Sequence, residues 1–485
     1  MNLNYSGSGI VIYNQNEYQC DLYINENQGG ILIKISVNKS LASFLELPFS
    51  IKFLCGELNT GYNFSLVNCS RNKMENLISE GRSVYTYLSQ YMFKGVGGKG
   101  CNCVKLYKVI FELSDIIEWG NISGYAVGEN YELLQNVDLA RTLFENEKIS
   151  VKYVVNSNML PVHFTEVLKE EIILKQNGNI EISFMKDESI DEFENIFRKI
   201  KRLIELSTVR NIHLNKLTGW SEGIYYTMDG DKRFDRAIDI ISCYLKKDEK
   251  IRENRQKTRK WIALSELIAN DSFANYFSKY ELLEPVVDLY LEVLELTEMP
   301  PTRIFLNVVQ ALETYHSRFI TNNIQEFKKR IELVILKNRP KESVQGDTTF
   351  LMANSRKFIT LESRLADLLL GKFEVYFDTG DIKHLDFPNV IAKTRNYYIH
   401  YDEGIKANGR VLTEEEISIY NRTLLYMLEY YLLLELGFSD TIQIKEKLNE
   451  RWGNASQTLS LIKMSKEIEK SSEDIPHTSN LGEIN

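Results

Sequence analysis

Near residue 188 the spacing of apolar side chains changes, and no other feature limits the possible folds as strongly. Residues 1 to about 185 carry short runs (GIVIYN, YQCDLYI, GGILIKISV, FSIKFLCGEL, YNFSLVNC, VKLYKVIFEL) that alternate or are β-branched, separated by Gly and Asn. Successive strand residues face opposite sides of a sheet, so this period of two marks half-buried strands. After the change, SIDEFENIFRKIKRLIEL places Phe193, Ile196, Phe197, Ile200, Leu203 and Ile204 at helical spacing. The chain is therefore expected to be a multidomain α+β protein. A mostly-β sandwich or barrel-like domain comes first and an all-α bundle follows.

A length of 485 residues predicts two or three domains. The helix at 188–206 reads as the tail of the first domain, packed on its sheet. KQNGNIEISF at 175–184 predicts a hairpin turning at Asn177-Gly178. A dense basic run holds Lys246, Lys247, Lys250, Arg252, Arg255, Lys257, Arg259 and Lys260. It could touch phosphates, but it reads more simply as a solvated linker. Domains are thus expected at 1–245 and 246–455, with 456–485 a disordered tail. Helices are expected at 258–270, 281–298, 301–320, 321–337, 357–370, 388–402, 413–436 and 439–451. Thr413 and Glu416 form a capping box and Gly437 a stop for the 413–436 helix.

The net charge of −9 argues against a broad nucleic-acid-binding coat while permitting a local basic cleft. GVGGKG at 95–100 lacks the spacing of a phosphate loop. Cys101 and Cys103, with Cys20, Cys55 and Cys69, could make a thiolate site. Paired C-x-x-C knuckles are missing, so buried free thiols are the simpler reading and no metal or cofactor is expected. No charged-then-apolar leader and no run of about 18 apolar residues occurs, which predicts a cytoplasmic protein without a membrane segment. YYLLLELGF at 430–438, cut by Glu435, reads as a buried helix.

TRNYYIHYD at 394–402 carries the chemistry. An imidazole moves protons near neutral pH, and a guanidinium grips phosphate with two prongs. Pro388 suits a first helical turn. On that helix Asn396 and His400 are four apart and share a face, with Arg395 about 100° round from Asn396. The spacing alone recurs by chance, and a lone helix histidine ordinarily packs or caps. The polar residue directly after the arginine and the helical setting set this one apart. Tyr397, Tyr398 and Tyr401 could stack on a base, and helical geometry predicts that at least one is core.

This Arg-Asn-x-x-x-His segment resembles the signature of the HEPN superfamily of helical ribonucleases. VVQALETYHSRF at 308–319 resembles the helix with the ALE-x-x-H pattern of the Apea-like HEPN group. YSGSGIVIY at 5–13 and FLCGELNTGYNFSLVNC at 53–69 resemble the N-terminal domain that accompanies it. The resemblance covers roughly residues 1–450. It implies a bacterial anti-phage protein whose HEPN bundle dimerises, bringing two motifs into one cleft. It implies metal-independent endoribonuclease activity, with Arg395, Asn396 and His400 catalytic and Glu313, His316, Tyr397 and Tyr401 supporting. It implies RNA as substrate, transfer RNA among the candidates, a phage-derived trigger and abortive infection. His316 also lies on the apolar stripe Phe305, Val308, Val309, Leu312, Phe319, where a satisfied core histidine is the plainer reading. Arg318 and Arg364 are further candidates for RNA contact. Two alternatives stand beside this one: a non-catalytic HEPN RNA-binding or dimerisation protein, and a ligand-binding β domain with a helical oligomerisation tail.

Overall fold

The computed structural model describes residues 5–25, 30–38, 47–97, 103–158, 173–228, 232–244, 261–295, 299–338, 349, 351–355, 357–369, 386–407, 411–439 and 441–452. The basic run at 246–260, Cys101 and the segment 456–485 lie outside the described residues. The chain divides into two compact units, 1–268 and 269–485.

Unit 1 opens with β1 (Tyr5–Tyr13), β2 (Asn16–Asn25), β3 (Gly30–Asn38), β4 (Ser50–Leu58), β5 (Asn63–Leu77) and β6 (Arg82–Lys94). These pair antiparallel in the order β1-β2-β3-β6-β5-β4, and β4 pairs back onto β1. The result is a closed six-stranded barrel, the arrangement that removes sheet edges. In β3 the period of two is literal: Ile31, Ile33, Ile35 and Val37 are buried, and Leu32, Lys34 and Ser36 between them are partly exposed. Val11, Leu22, Leu54, Phe64, Leu66, Tyr85 and Tyr87 fill the rest of the interior. Asn14 and Gln15, both at positive φ, join β1 to β2 as a two-residue type I′ turn. At the β1–β4 seam a Cβ on Gly9 would lie 2.2 Å from the Glu57 carbonyl oxygen, so only glycine lets the strands approach. Cys20, Cys55 and Cys69 are buried. Burial pushes the Cys20 and Cys69 thiols up to about 12, as inert packing residues.

Beyond Ser89, β16 (Ile238–Ser242) replaces β3 along one edge of β6. The sheet then continues from β16 as β13 (Leu214–Trp220), β7 (Leu106–Leu113), β12 (Gln176–Glu188), β11 (Ile149–Ser157) and β10 (Ala140–Glu145). Two small hairpins, β8 (Tyr125–Val127) with β9 (Leu133–Gln135) and β14 (Tyr225–Met228) with β15 (Lys232–Asp235), complete the strands. After a short α1 (Ile117–Gly120), α2 (Ile190–Thr208) covers this sheet as its sequence predicts. Phe197 stacks on Phe111 at 4.0 Å between ring centroids, and Phe193 meets Phe184 edge-on at 4.7 Å. The acids of its first turns are used: Asp191 accepts from Asn68 (2.7 Å) and Glu194 from the Tyr91 hydroxyl (2.6 Å).

The hairpin expected at Asn177-Gly178 does not form. β12 runs straight through both residues, paired with β11 and β7. Gly178 serves packing instead of turning: a Cβ there would lie 2.5 Å from Ile116 Cγ1.

Unit 2 is helical. α3 (Leu264–Ala269) spans the division. It is followed by α4 (Ser272–Glu295), α5 (Pro301–Tyr315), α6 (Ile324–Asn338), α7 (Leu361–Leu369), α8 (Asp386–His400), α9 (Glu403–Ala407), α10 (Glu414–Glu435) and α11 (Thr441–Trp452). α4 starts at Ser272 rather than 281, because Phe273, Tyr276 and Tyr280 already form its buried face. It also tolerates Pro285, which denies the Glu281 carbonyl its helical donor; Arg318 Nη1 supplies one at 2.7 Å. α5 packs against α4, α8 and α10. The capping box of α10 is present: Thr413 Oγ1 accepts from Glu416 N (3.3 Å) and Glu416 Oε2 from Thr413 N (2.8 Å). Residues 430–433 are buried in α10, as expected, and Glu435 accepts from the Tyr315 hydroxyl (2.7 Å) and pairs with Lys279 (2.8 Å). The buried Glu429 carboxylate gathers Arg451 (2.9 Å), the Trp452 indole (2.6 Å) and the Tyr290 hydroxyl, tying α11 and α4 to α10. No helix among the described residues is long and apolar enough to cross a membrane.

Gly178→Ala is expected to cost unit 1 about 1–3 kcal/mol in urea unfolding, through overpacking. Combined with Ile116→Ala, the loss should be smaller than the sum of the two single losses, since the obstructing atoms are gone.

Candidate active site on helix α8

Helix α8 buries Phe387, Ile391 and Thr394, spaced four and three apart, against the bundle. Asn389 Nδ2 ties it to Glu362 of α7 at 2.9 Å. Thr394 Oγ1 accepts from Leu412 N at 3.1 Å, and the Tyr398 hydroxyl donates to the Leu412 carbonyl at 3.3 Å. The chain returning toward α10 is thereby pinned beside the last turns of α8.

This anchoring leaves Arg395, Asn396 and His400 on the outer side. Arg395 and Asn396 are half-buried and His400 is exposed. Arg395 Nη1 donates to Asn396 Oδ1 (3.1 Å), and Nη2 lies 3.7 Å from Glu313 Oε2. α5 thus supplies a carboxylate that holds the guanidinium from across the bundle. Only one of its N–H groups is committed to a hydrogen bond among the described residues, and the others can meet an anion. His400 makes no hydrogen bond to another described residue, so its ring is open to a ligand.

His316, three residues after Glu313, is not part of this cluster. It is fully buried where α5 widens into a single π turn, His316–Ile320, closed by Thr321 N donating to the His316 carbonyl at 3.0 Å. Its Nδ1 faces Arg364 Nη1 at 2.9 Å and its Nε2 faces Asp367 Oδ2 at 2.7 Å. A guanidinium can only donate, so Nδ1 must accept and the proton sits on Nε2. The ring is a neutral spacer between charges, and burial holds its pKa below the usual histidine range. Arg330 Nη2 reaches Asp367 Oδ1 at 2.9 Å, and Arg364 Nη2 donates to Asn322 Oδ1 at 2.6 Å. Arg364 is therefore sequestered and does not present itself to RNA, whereas Arg318 is exposed. Asp367 and Arg330 went unpredicted. The available signal was a charged pair three apart in LESRLADLL, a helix buried on nearly every side.

The three tyrosines correct a second expectation. None is core: Tyr397 and Tyr398 are half-buried and Tyr401 is exposed. The helix stops at His400, and Tyr401 turns left-handed (φ 50°). That lets all three rings meet edge to face, with centroids 5.1, 5.9 and 6.3 Å apart. Among the described residues no group of three or more His, Cys, Asp or Glu side chains is placed to hold a metal ion.

The model of the Apea-like HEPN family matches residues 306–442, which include Glu313, His316, Arg364, Asp367, Arg395, Asn396 and His400. The model of ApeA N-terminal domain 1 matches residues 10–280, more than half of the chain. The chain belongs to the ApeA-type HEPN family. It is thus an HEPN protein of the anti-phage type, and HEPN domains are generally ribonucleases that commonly dimerise. Nothing matches it among the curated proteins or the solved structures.

Within this HEPN domain the buried His316 sets a pH dependence. Its folded pKa lies below the ordinary 6.5, so the unfolded chain takes up the proton first as pH falls. Its stabilising contribution is complete above about pH 6.5 and is lost as pH drops through the folded value. Urea unfolding between pH 7.5 and 5 should show this decline, and it should be shallower in His316→Gln. Asp367→Ala should cost about 3–5 kcal/mol at pH 7.5 by stranding Arg330 and His316.

Proposed function

We propose that this ApeA-type HEPN protein is an endoribonuclease that cuts RNA through the substrate's own 2′-hydroxyl, with Arg395, Asn396 and His400 at the reacting phosphate. The observation that carries this reading is an exposed imidazole one helical turn from Asn396, whose carboxamide, with Glu313, holds a half-buried guanidinium that keeps donors to spare.

The 2′-oxygen attacks the adjacent phosphorus and gives its proton to one imidazole. The bond to the 5′-oxygen breaks, and a second imidazole protonates that leaving group. Arg395 takes the charge that builds on the non-bridging oxygens. Asn396 keeps the guanidinium in register, and Glu313 fixes it from the α5 side. One His400 per chain serves one proton transfer, so a homodimer with two motifs in one cleft completes the reaction. The products are a 2′,3′-cyclic phosphate and a free 5′-hydroxyl. Because the nucleophile lies within the substrate, no metal has to activate a water. Acting in the cytoplasm on RNA such as transfer RNA, and released by a phage-derived trigger sensed through the β-rich unit, such cleavage would abort infection.

Purified protein with EDTA should cut RNA to cyclic-phosphate ends. His400→Ala and Arg395→Ala should each slow cleavage by about 10²-fold or more, as loss of an acid–base or charge-stabilising group does, with helicity unchanged by circular dichroism. Equal cleavage by wild type and His400→Ala would sink the assignment. RNA binding and dimerisation with no cleavage, even in extracts of infected cells, would favour the non-catalytic reading.

A further inference from the structure

The tyrosine trio at the end of α8 has no role in that chemistry, and packing does not account for it. Tyr401 is 69% exposed, directly after His400. A bulky residue in the left-handed region is uncommon, and a helix stop calls for glycine or asparagine. The strain is held in place. Tyr401 N donates to the Tyr397 carbonyl, and Asp402 starts α9 through its side chain to Gly404 N (2.8 Å) and its carbonyl to Ile405 N (3.0 Å). Behind Tyr401, Tyr397 is fastened through its hydroxyl to Glu403 (3.3 Å), with the Lys406 ammonium 5.6 Å from its ring centroid, and Tyr398 is fastened to Leu412. The two inner rings are braced and the outer one is offered to solvent. Tyr397 lies three residues before His400 and so shares its face of the helix.

We propose that Tyr401, braced by Tyr397 and Tyr398, is a stacking shelf that holds an unpaired base beside the scissile phosphate. This rests on the ribonuclease reading of the same site. A splayed base presents a π face to an aromatic ring. A base inside an A-form helix is already stacked on its neighbours and shows only its edges. The Lys406 ammonium beside the Tyr397 ring adds positive charge next to the shelf, which favours a phosphate-bearing strand.

The test measures binding apart from cleavage. Fluorescently labelled 2′-O-methyl oligonucleotides, whose capped oxygen cannot attack, are titrated with the full chain by anisotropy as a single strand and as a blunt duplex. Tyr401→Ala should weaken single-strand binding about tenfold, the effect of one lost stacking contact. Tyr401→Phe should keep wild-type affinity, and the duplex should bind weakly and equally to all three proteins. Unchanged single-strand binding by Tyr401→Ala, equal losses on strand and duplex, or no binding by wild type would each overturn the shelf. Since no bond is cut here, absence of nuclease activity in the cleavage assay would leave this result standing by itself.

Discussion

Asp367 is the charge around which the helical unit is arranged. It lies fully buried between the His316 imidazole and the Arg330 guanidinium, and Arg364 closes the far side of the imidazole. A lone carboxylate at this depth would cost several kcal/mol. Three helices must therefore converge: α7 brings Asp367 and Arg364, α6 brings Arg330, and the widened end of α5 brings His316. Glu313 sits one turn before that widened end, so the same network sets the side from which Arg395 is held. The outer site inherits its geometry from a cluster whose imidazole and carboxylate are both fully buried.

The contrast between two histidines follows from that arrangement. His316 has both ring nitrogens engaged and its proton assigned by an arginine that can only donate. His400 stands at a helix terminus with its ring open. Burial determines which imidazole a ligand can reach, and residue type alone does not. An apolar stripe around His316 signals the buried one in advance, whereas the network it joins involves α6 and α7, far along the chain.

Much of the fold was legible because it is written in local period. The alternation of β3, the helical face of α2 and the Thr413–Glu416 cap all depend on neighbours within one element. Arg395, Asn396 and Glu313 were each marked by motif, and the structure brings them together, while His316 lies in the buried network behind them. Features set by distant segments were not legible. Asn177-Gly178 has the chemistry of a tight turn, yet the close approach of Ile116 uses the glycine for clearance. The tyrosines break helical face arithmetic because Tyr401 leaves the helix. Barrel closure depends on β4 meeting β1 at Gly9, a contact that no local pattern announces.

One strand, β6, has a mechanical consequence for unit 1. Its first half is a stave of the barrel, held by β3 and β5; further on, β3 gives way to β16 and the same backbone becomes the border of the open sheet. Barrel and sheet are consequently not beads on a flexible string. The joint between them is a shared, hydrogen-bonded strand rather than a linker, so neither the barrel nor the sheet can be unzipped without breaking the ladder that serves the other.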